Sequence, residues 1–140
     1  MMKSINFQNR GLTIAANLYY PEDFDVIKAY PAILTMHPVG GVKEQTVTVY
    51  AQKLAEHGFI ALTFDASYQG ESTGEPWHLE DPYIRVEDIR SAINFLNTLD
   101  DIDTDRVGVL GICGAGLFTG GKQLKKHLEY EAKSAMDFKI

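Results

Sequence analysis

Three short, almost continuous apolar runs constrain this chain most: Ala32-Ile33-Leu34-Thr35-Met36, Phe59-Ile60-Ala61-Leu62-Thr63-Phe64 and Val107-Gly108-Val109-Leu110. A strand covered on one face alternates apolar with polar residues. Unbroken runs of this length fit parallel strands buried on both faces. Helical spacing separates them. Val47, Tyr50, Ala51 and Leu54 mark one helix, ended by Gly58, and Ile89, Ala92, Ile93, Leu96 and Leu99 mark a second. Ahead of the first run the period is two. Ile5 and Phe7 precede the turn residues Asn9-Arg10-Gly11, and Leu12, Ile14, Ala16, Leu18 and Tyr20 lead up to Pro21, which reads as an antiparallel hairpin. A hairpin followed by strand–helix–strand–helix–strand predicts an α/β layered fold with right-handed crossovers. Strands are expected near 3–8, 12–20, 31–36, 59–64 and 106–111. Helices are expected near 44–57, 84–98 and 114–138, the last interrupted at Gly120-Gly121. The stretch from Asp65 to Tyr83 has no periodicity and carries Gly70, Gly74, Pro76 and Pro82. A loop of that length is usually functional or mobile. Its acidic part, Glu71 to Asp81, reads as solvated rather than as a lid.

A chain of 140 residues suffices for one domain with one core. The net charge of −6 argues against a nucleic-acid partner. No apolar run approaches the length of a membrane span, and the N-terminus lacks the apolar core of a signal peptide. A single cysteine forbids an intrachain disulfide, so a reducing, cytoplasmic location is expected. Charge is uneven. Residues 122–139 carry five lysines against Glu129, Glu131 and Asp137, which leaves 8 basic and 16 acidic side chains for the rest. The expected organisation is a domain over 1–116 and a basic helical tail over 117–140 that is not a separate domain. Leu117, Leu124, Leu128, Ala135 and Phe138 give that tail an apolar stripe at roughly helical spacing. The open edge of strand 106–111 is then expected to be covered by the tail or by a second copy in a homodimer.

The chemistry concentrates where the third run ends, at Gly111-Ile112-Cys113-Gly114-Ala115-Gly116. A buried strand running into this sequence is the context of a nucleophile elbow, a strained strand-to-helix turn that projects one side chain. The turn leaves no room for bulk two positions either side of the nucleophile, a demand met by Gly111 and Ala115. A helix starting behind Cys113 would direct its free N–H groups towards the sulfur. Other motifs fail on their chemistry. Asp101, Asp103 and Asp105 imitate a calcium loop, but the sixth position is Arg106 and the twelfth Ile112. Gly116 to Gln123 lacks the Ser or Thr of a phosphate-binding loop, so nucleotide binding is not expected. His57, His78 and His127 read as solvated.

The stretch from Tyr30 to Gly116 resembles the α/β-hydrolase superfamily, in the branch similar to dienelactone hydrolases. The residues that carry the resemblance are His37-Pro-Val-Gly-Gly41, Phe64-Asp65 through Gly70-Glu-Ser72, Gly74-Glu-Pro76, Val86-Glu87-Asp88-Ile89 and Asp105-Arg106 through Cys113-Gly114. The resemblance implies the N-terminal half of that fold, with strand order 1-2-4-3-5. It implies Cys113 as nucleophile, in a position where most members of the superfamily have Ser. It further implies backbone oxyanion donors at Gly114 and Val39, an oxyanion loop formed by His37, Gly40 and Gly41, and no metal or organic cofactor. His37 is expected to be structural in that loop rather than a base. The reaction implied is cleavage of an ester, thioester or lactone of a small acyl substrate. The family continues with an acid and then a histidine on later loops, and neither is identifiable here. His127, fourteen positions after Cys113, would lie about 21 Å away on a continuous helix. The chain is therefore expected to be a truncated hydrolase, poorly active alone. The alternative is a non-catalytic, self-associating remnant that at most binds small acyl compounds.

Overall fold

The computed structural model describes residues 1–116 and 133–134. Five strands and two helices follow in chain order: β1 (Met2–Asn9), β2 (Leu12–Tyr19), β3 (Tyr30–Met36), α1 (Thr46–Glu56), β4 (Ile60–Phe64), α2 (Pro82–Leu96) and β5 (Ile102–Gly111). A two-residue β6, Lys133–Ser134, lies last. The sheet order is β1-β2-β4-β3-β5-β6. The first five strands therefore stand in the expected order 1-2-4-3-5.

The hairpin closes at Arg10 and Gly11, with φ of 52° and 79°. Positive φ at both residues of a two-residue turn matches the twist of the flanking strands, and glycine at the second position lowers the cost. β2 then pairs antiparallel with β4, while β3 lies parallel between β4 and β5. The two sheet faces separate by residue parity. Ile14, Ala16, Leu18, Leu34, Leu62 and Val109 pack with Ile89, Ala92, Ile93 and Leu96 of α2. Tyr19, Ile33, Ala61 and Leu110 pack with Ala51, Leu54 and Ala55 of α1. Both faces of β3 and β4 are thus covered, which is why their sequences do not alternate.

Element boundaries depart from expectation in three places. Helix α2 begins at Pro82 because the Asp81 side chain caps it, accepting from the N–H groups of Tyr83 (2.8 Å) and Ile84 (3.2 Å). An Asp followed by Pro at the first helical position is a strong start signal. Strand β5 begins at Ile102, before the expected start near 106 and among the acids Asp101, Asp103 and Asp105. Ile102 is buried and pairs with Tyr30 across a register shift. The half-buried Asp103 beside it is compatible with a strand because it accepts from Arg106 Nε at 2.5 Å. The helix expected over 114–138 is corrected at Lys133–Ser134, which is extended and pairs parallel with Leu110 and Gly111. The end of β5 leaves backbone groups open at that edge, and an extended segment meets them where a helix could not. The rest of that expected helix lies outside the described residues. No helix among the described residues is long and apolar enough to cross a membrane.

Candidate active site

Three loops meet at the C-terminal ends of the parallel strands, where open α/β sheets place their sites. The first is the turn after β5. Cys113 is exposed and has φ of 58°, a conformation costly for a residue with a Cβ. Ala115 donates to the Ile112 carbonyl at 3.2 Å and Gly116 to the Cys113 carbonyl at 3.0 Å, so the chain turns at once into a helical conformation. Gly111 makes this possible. A Cβ there would stand 2.6 Å from the Ala115 carbonyl oxygen and 2.7 Å from Gly116 N.

The second loop, after β3, is held against the first. The Ile112 N–H donates to the Met36 carbonyl at 3.2 Å. A Cβ on Gly114 would meet Val39 Cγ2 at 3.2 Å, so the two expected oxyanion residues are neighbours. Within the His37–Gly41 turn, Gly41 N–H donates to the Pro38 carbonyl (2.9 Å) and Gly40 N–H to Glu80 Oε1 (3.1 Å). Gly40, with φ of 73°, supplies the left-handed residue the turn needs. No hydrogen bond from the backbone N–H of Val39 or Gly114 is found among the described residues.

His37 is fully buried. Its Nδ1 lies 2.7 Å from the Pro38 carbonyl, and its Nε2 accepts from Ala66 N–H at 3.1 Å. These partners make the imidazole neutral, with the proton on Nδ1. Arg85 Nη1 lies 3.3 and 3.4 Å from the two ring nitrogens. Such near-equal distances put the guanidinium over the ring, not in line with a lone pair. Burial, and then the charge of Arg85, push the His37 pKa down to about 4. The Nε2 lone pair is already occupied, so His37 shapes the turn and has no free lone pair with which to take a proton.

The sequence reading missed the ionic groups that fix these loops. Arg85, on α2, is buried and binds Glu80 through Nε (2.9 Å) and Nη2 (2.5 Å). Burial works against the Glu80 carboxylate, but Arg85 and the Gly40 N–H outweigh it and hold its pKa below the usual range. Lys43 is also buried and reaches Asp65 (3.2 Å), Glu44 (2.6 Å) and Glu71. Burial opposes the ammonium, yet its hydrogen bonds to Glu44 and Glu71 and the charge of Asp65 raise its pKa. Asp65 further accepts from the N–H groups of Lys43 (2.7 Å) and Glu71 (2.8 Å), tying the loops after β3 and β4 together. Deeper still, Asp88 accepts from Ser67 N–H (2.8 Å), Ser67 Oγ (2.6 Å) and Asn9 Nδ2 (2.6 Å). Burial raises its pKa against those bonds. Glycine at 70 is required by this arrangement, since a Cβ there would meet the Asp65 carboxylate at 2.3 Å.

The long loop is thereby pinned. Thr73 N–H donates to Thr13 O (2.9 Å), and Ser72 Oγ accepts from Ala15 N–H (3.0 Å). Its acids divide: Glu71 is exposed, while Glu80 is partly buried and structural. Among the described residues no three of His, Cys, Asp and Glu converge on a metal site.

Comparison with known proteins finds relatives in sequence and in fold. The chain is 48% identical over 120 residues to the uncharacterized protein YcjY of Escherichia coli, covering 86% of this chain and 39% of that one. It is 31% identical over 106 residues to the thiohydrolase aneE of Aspergillus aculeatus, covering 76% of this chain and 32% of that one. The crystal structure of the hypothetical protein PA2218 from Pseudomonas aeruginosa superposes with a TM-score of 0.81 at 40% identity, over 89% of this chain and 40% of the other. The chain thus spans less than half the length of each of these relatives. The model of the dienelactone hydrolase family matches residues 14–132, and the chain belongs to that family.

Proposed function

We propose that Cys113 is the nucleophile of an acyl-transfer reaction on a small ester, thioester or lactone. The observation that carries this reading is Cys113 itself: exposed, at φ of 58°, on a turn whose neighbour Gly114 abuts Val39. The sulfur adds to the carbonyl carbon, and the carbonyl electron pair moves to oxygen. The N–H groups of Gly114 and Val39 receive that oxyanion. Collapse expels the alcohol or thiol, which leaves with the proton released by the cysteine, and an acyl-thioester remains. Water then cleaves the thioester, releasing the acid and returning a proton to sulfur. No metal or organic cofactor enters this sequence of steps. The similarity to the thiohydrolase aneE supports placing thioesters among the substrates.

Acylation is expected to outrun deacylation in this chain. A thiol is intrinsically nucleophilic, whereas water needs a base. His37 has its nitrogens engaged, and the acid and histidine of a triad are unassigned. With p-nitrophenyl acetate the expected signature is one nitrophenolate released per Cys113, then slow turnover, with the burst abolished by Cys113→Ala. Hydrolysis that is unchanged in Cys113→Ala would overturn the reading.

A further inference from the structure

We infer that Glu80 and Arg85 are positioning residues for the oxyanion turn, acting through the Gly40 N–H and the His37 ring. The inference rests on the reading of Cys113 as nucleophile and extends it to groups outside the elbow and the turn.

The turn from His37 to Gly41 has three N–H groups at its tip. Gly41 is satisfied within the turn, by the Pro38 carbonyl. Gly40 is satisfied from outside, by Glu80 Oε1. That leaves Val39 between two anchored neighbours. A peptide N–H is aimed by the planes on either side of it, so holding Gly40 N–H in place restrains where the Val39 N–H can point. Glycine at 40 gives this position no steric restraint of its own, since a Cβ there would meet nothing within 4 Å. The restraint comes from the carboxylate.

Glu80 is in turn held at several points. Arg85 binds both of its oxygens, and Gln69 Nε2 donates to Oε1. Arg85 leaves α2 one turn after the Asp81 cap, and its backbone N–H donates to the Asp81 carbonyl at 3.0 Å. The same guanidinium lies over the His37 ring, whose Nδ1 meets the Pro38 carbonyl. One buried cation therefore restrains both ends of the turn, through Glu80 at Gly40 and through His37 at Pro38. An oxyanion hole works by presenting donors that need no reorganisation when charge develops. Displacing a donor by about 1 Å costs on the order of a hundredfold in rate.

The test separates attack on a carbonyl from attack on a saturated carbon. Acylation of Cys113 by p-nitrophenyl acetate builds an oxyanion; alkylation by iodoacetamide does not. In Glu80→Ala the burst rate is expected to fall ten- to hundredfold, on the order set by a misplaced donor, while the alkylation rate stays within about twofold. Glu80→Gln keeps an oxygen for the Gly40 N–H and is expected to recover most of the burst rate. Amide exchange at Gly40, read by NMR on the folded chain, should accelerate in Glu80→Ala and much less in Glu80→Gln. Equal losses of acylation and alkylation in Glu80→Ala would show that the variant disturbs the elbow itself and overturn the inference. An unchanged burst, or unchanged Gly40 exchange, would overturn it too. An unmodified chain with no burst, whose cysteine nevertheless alkylates, would instead remove the nucleophile reading on which the inference stands.

Discussion

Replacing Gly111 by Ala is the sharpest test of the elbow, and Gly108 in the same strand supplies the control. The Gly111 backbone does not have a positive φ, so alanine is permitted by the dihedral angles alone. The objection is steric. Its Cβ would lie 2.6 Å from the Ala115 oxygen, 2.7 Å from the Ala115 carbonyl carbon and 2.7 Å from Gly116 N. All three are backbone atoms, and relief requires the chain at 115–116 to retreat. That chain is committed, because Ala115 is 1% exposed and both N–H groups are bonded within the turn. Overpacking costs about 1–3 kcal/mol where side chains can yield. Since none can here, we expect about 3 kcal/mol, or relaxation of the turn with loss of the Cys113 conformation. At Gly108 the new methyl meets only Ile33 Cδ1, at 3.0 Å. The end of a flexible side chain can move, and alanine recovers about 0.5–1 kcal/mol of backbone entropy relative to glycine. The net change at Gly108 should therefore stay within about 1 kcal/mol. Urea unfolding gives both stabilities, and the nitrophenolate burst reports the elbow. Refutation would come from a wild-type burst in Gly111→Ala, the more so if its unfolding midpoint also matches that of Gly108→Ala.

Two further predictions concern the buried charges. His37 titrates near 4 when folded and near 6.5 when unfolded, so between those values the unfolded chain binds the extra proton. Stability is then lost as pH falls from about 6.5 to about 4, with a slope of up to about 1.4 kcal/mol per pH unit from this group. Glu80, with its lowered pKa, acts in the same sense, and Asp88, with its raised pKa, in the opposite one. Comparison with His37→Gln isolates the histidine: urea unfolding across that range should show a flatter dependence in the variant, and parallel curves would contradict the assignment. Lys43→Met should cost about 3–5 kcal/mol by leaving Asp65 buried without its cation, and adding Asp65→Asn should recover part of it. If the double variant unfolds at the same urea concentration as Lys43→Met, the charge of Asp65 is not the source of the loss.

The fold was legible in the sequence because both-face burial leaves a local imprint. Parallel strands β3 and β4 are covered by α2 on one side and α1 on the other, so nearly every residue in them is apolar. The boundaries were less legible. Ile102 stands between acids, and only its pairing with Tyr30, distant in sequence, makes that stretch a strand. The start of α2 was present as Asp81-Pro82 but lay inside a segment whose glycines and prolines read as loop. Lys133–Ser134 pairs with the end of β5, a contact for which neither residue type gives a sign.

In the candidate site the same distinction separates Cys113 from the residues that support its surroundings. A strained turn imposes its demands on adjacent positions, so Gly111 and Ala115 announce it. Lys43 and Arg85 act through partners far along the chain, Glu71 and His37 among them. Their residue types give no warning, because Lys53 and Arg106 form comparable ion pairs at 61% and 59% side-chain exposure, against 2% for both Lys43 and Arg85. Exposed pairs of that kind contribute little to stability. A buried cation is tolerable only when its donors are met, and here meeting them requires specific loop positions. Asp65 and Glu80 thus convert charge satisfaction into loop geometry: each carboxylate binds one buried cation and also accepts from the backbone of the loop after β3, at Lys43 and Gly40 respectively. Loops without a ladder of their own hydrogen bonds gain fixed positions by this route. The Cys113 turn is specified by steric demands inside one short segment, and the His37–Gly41 turn beside it by the charges of Glu80 and Arg85.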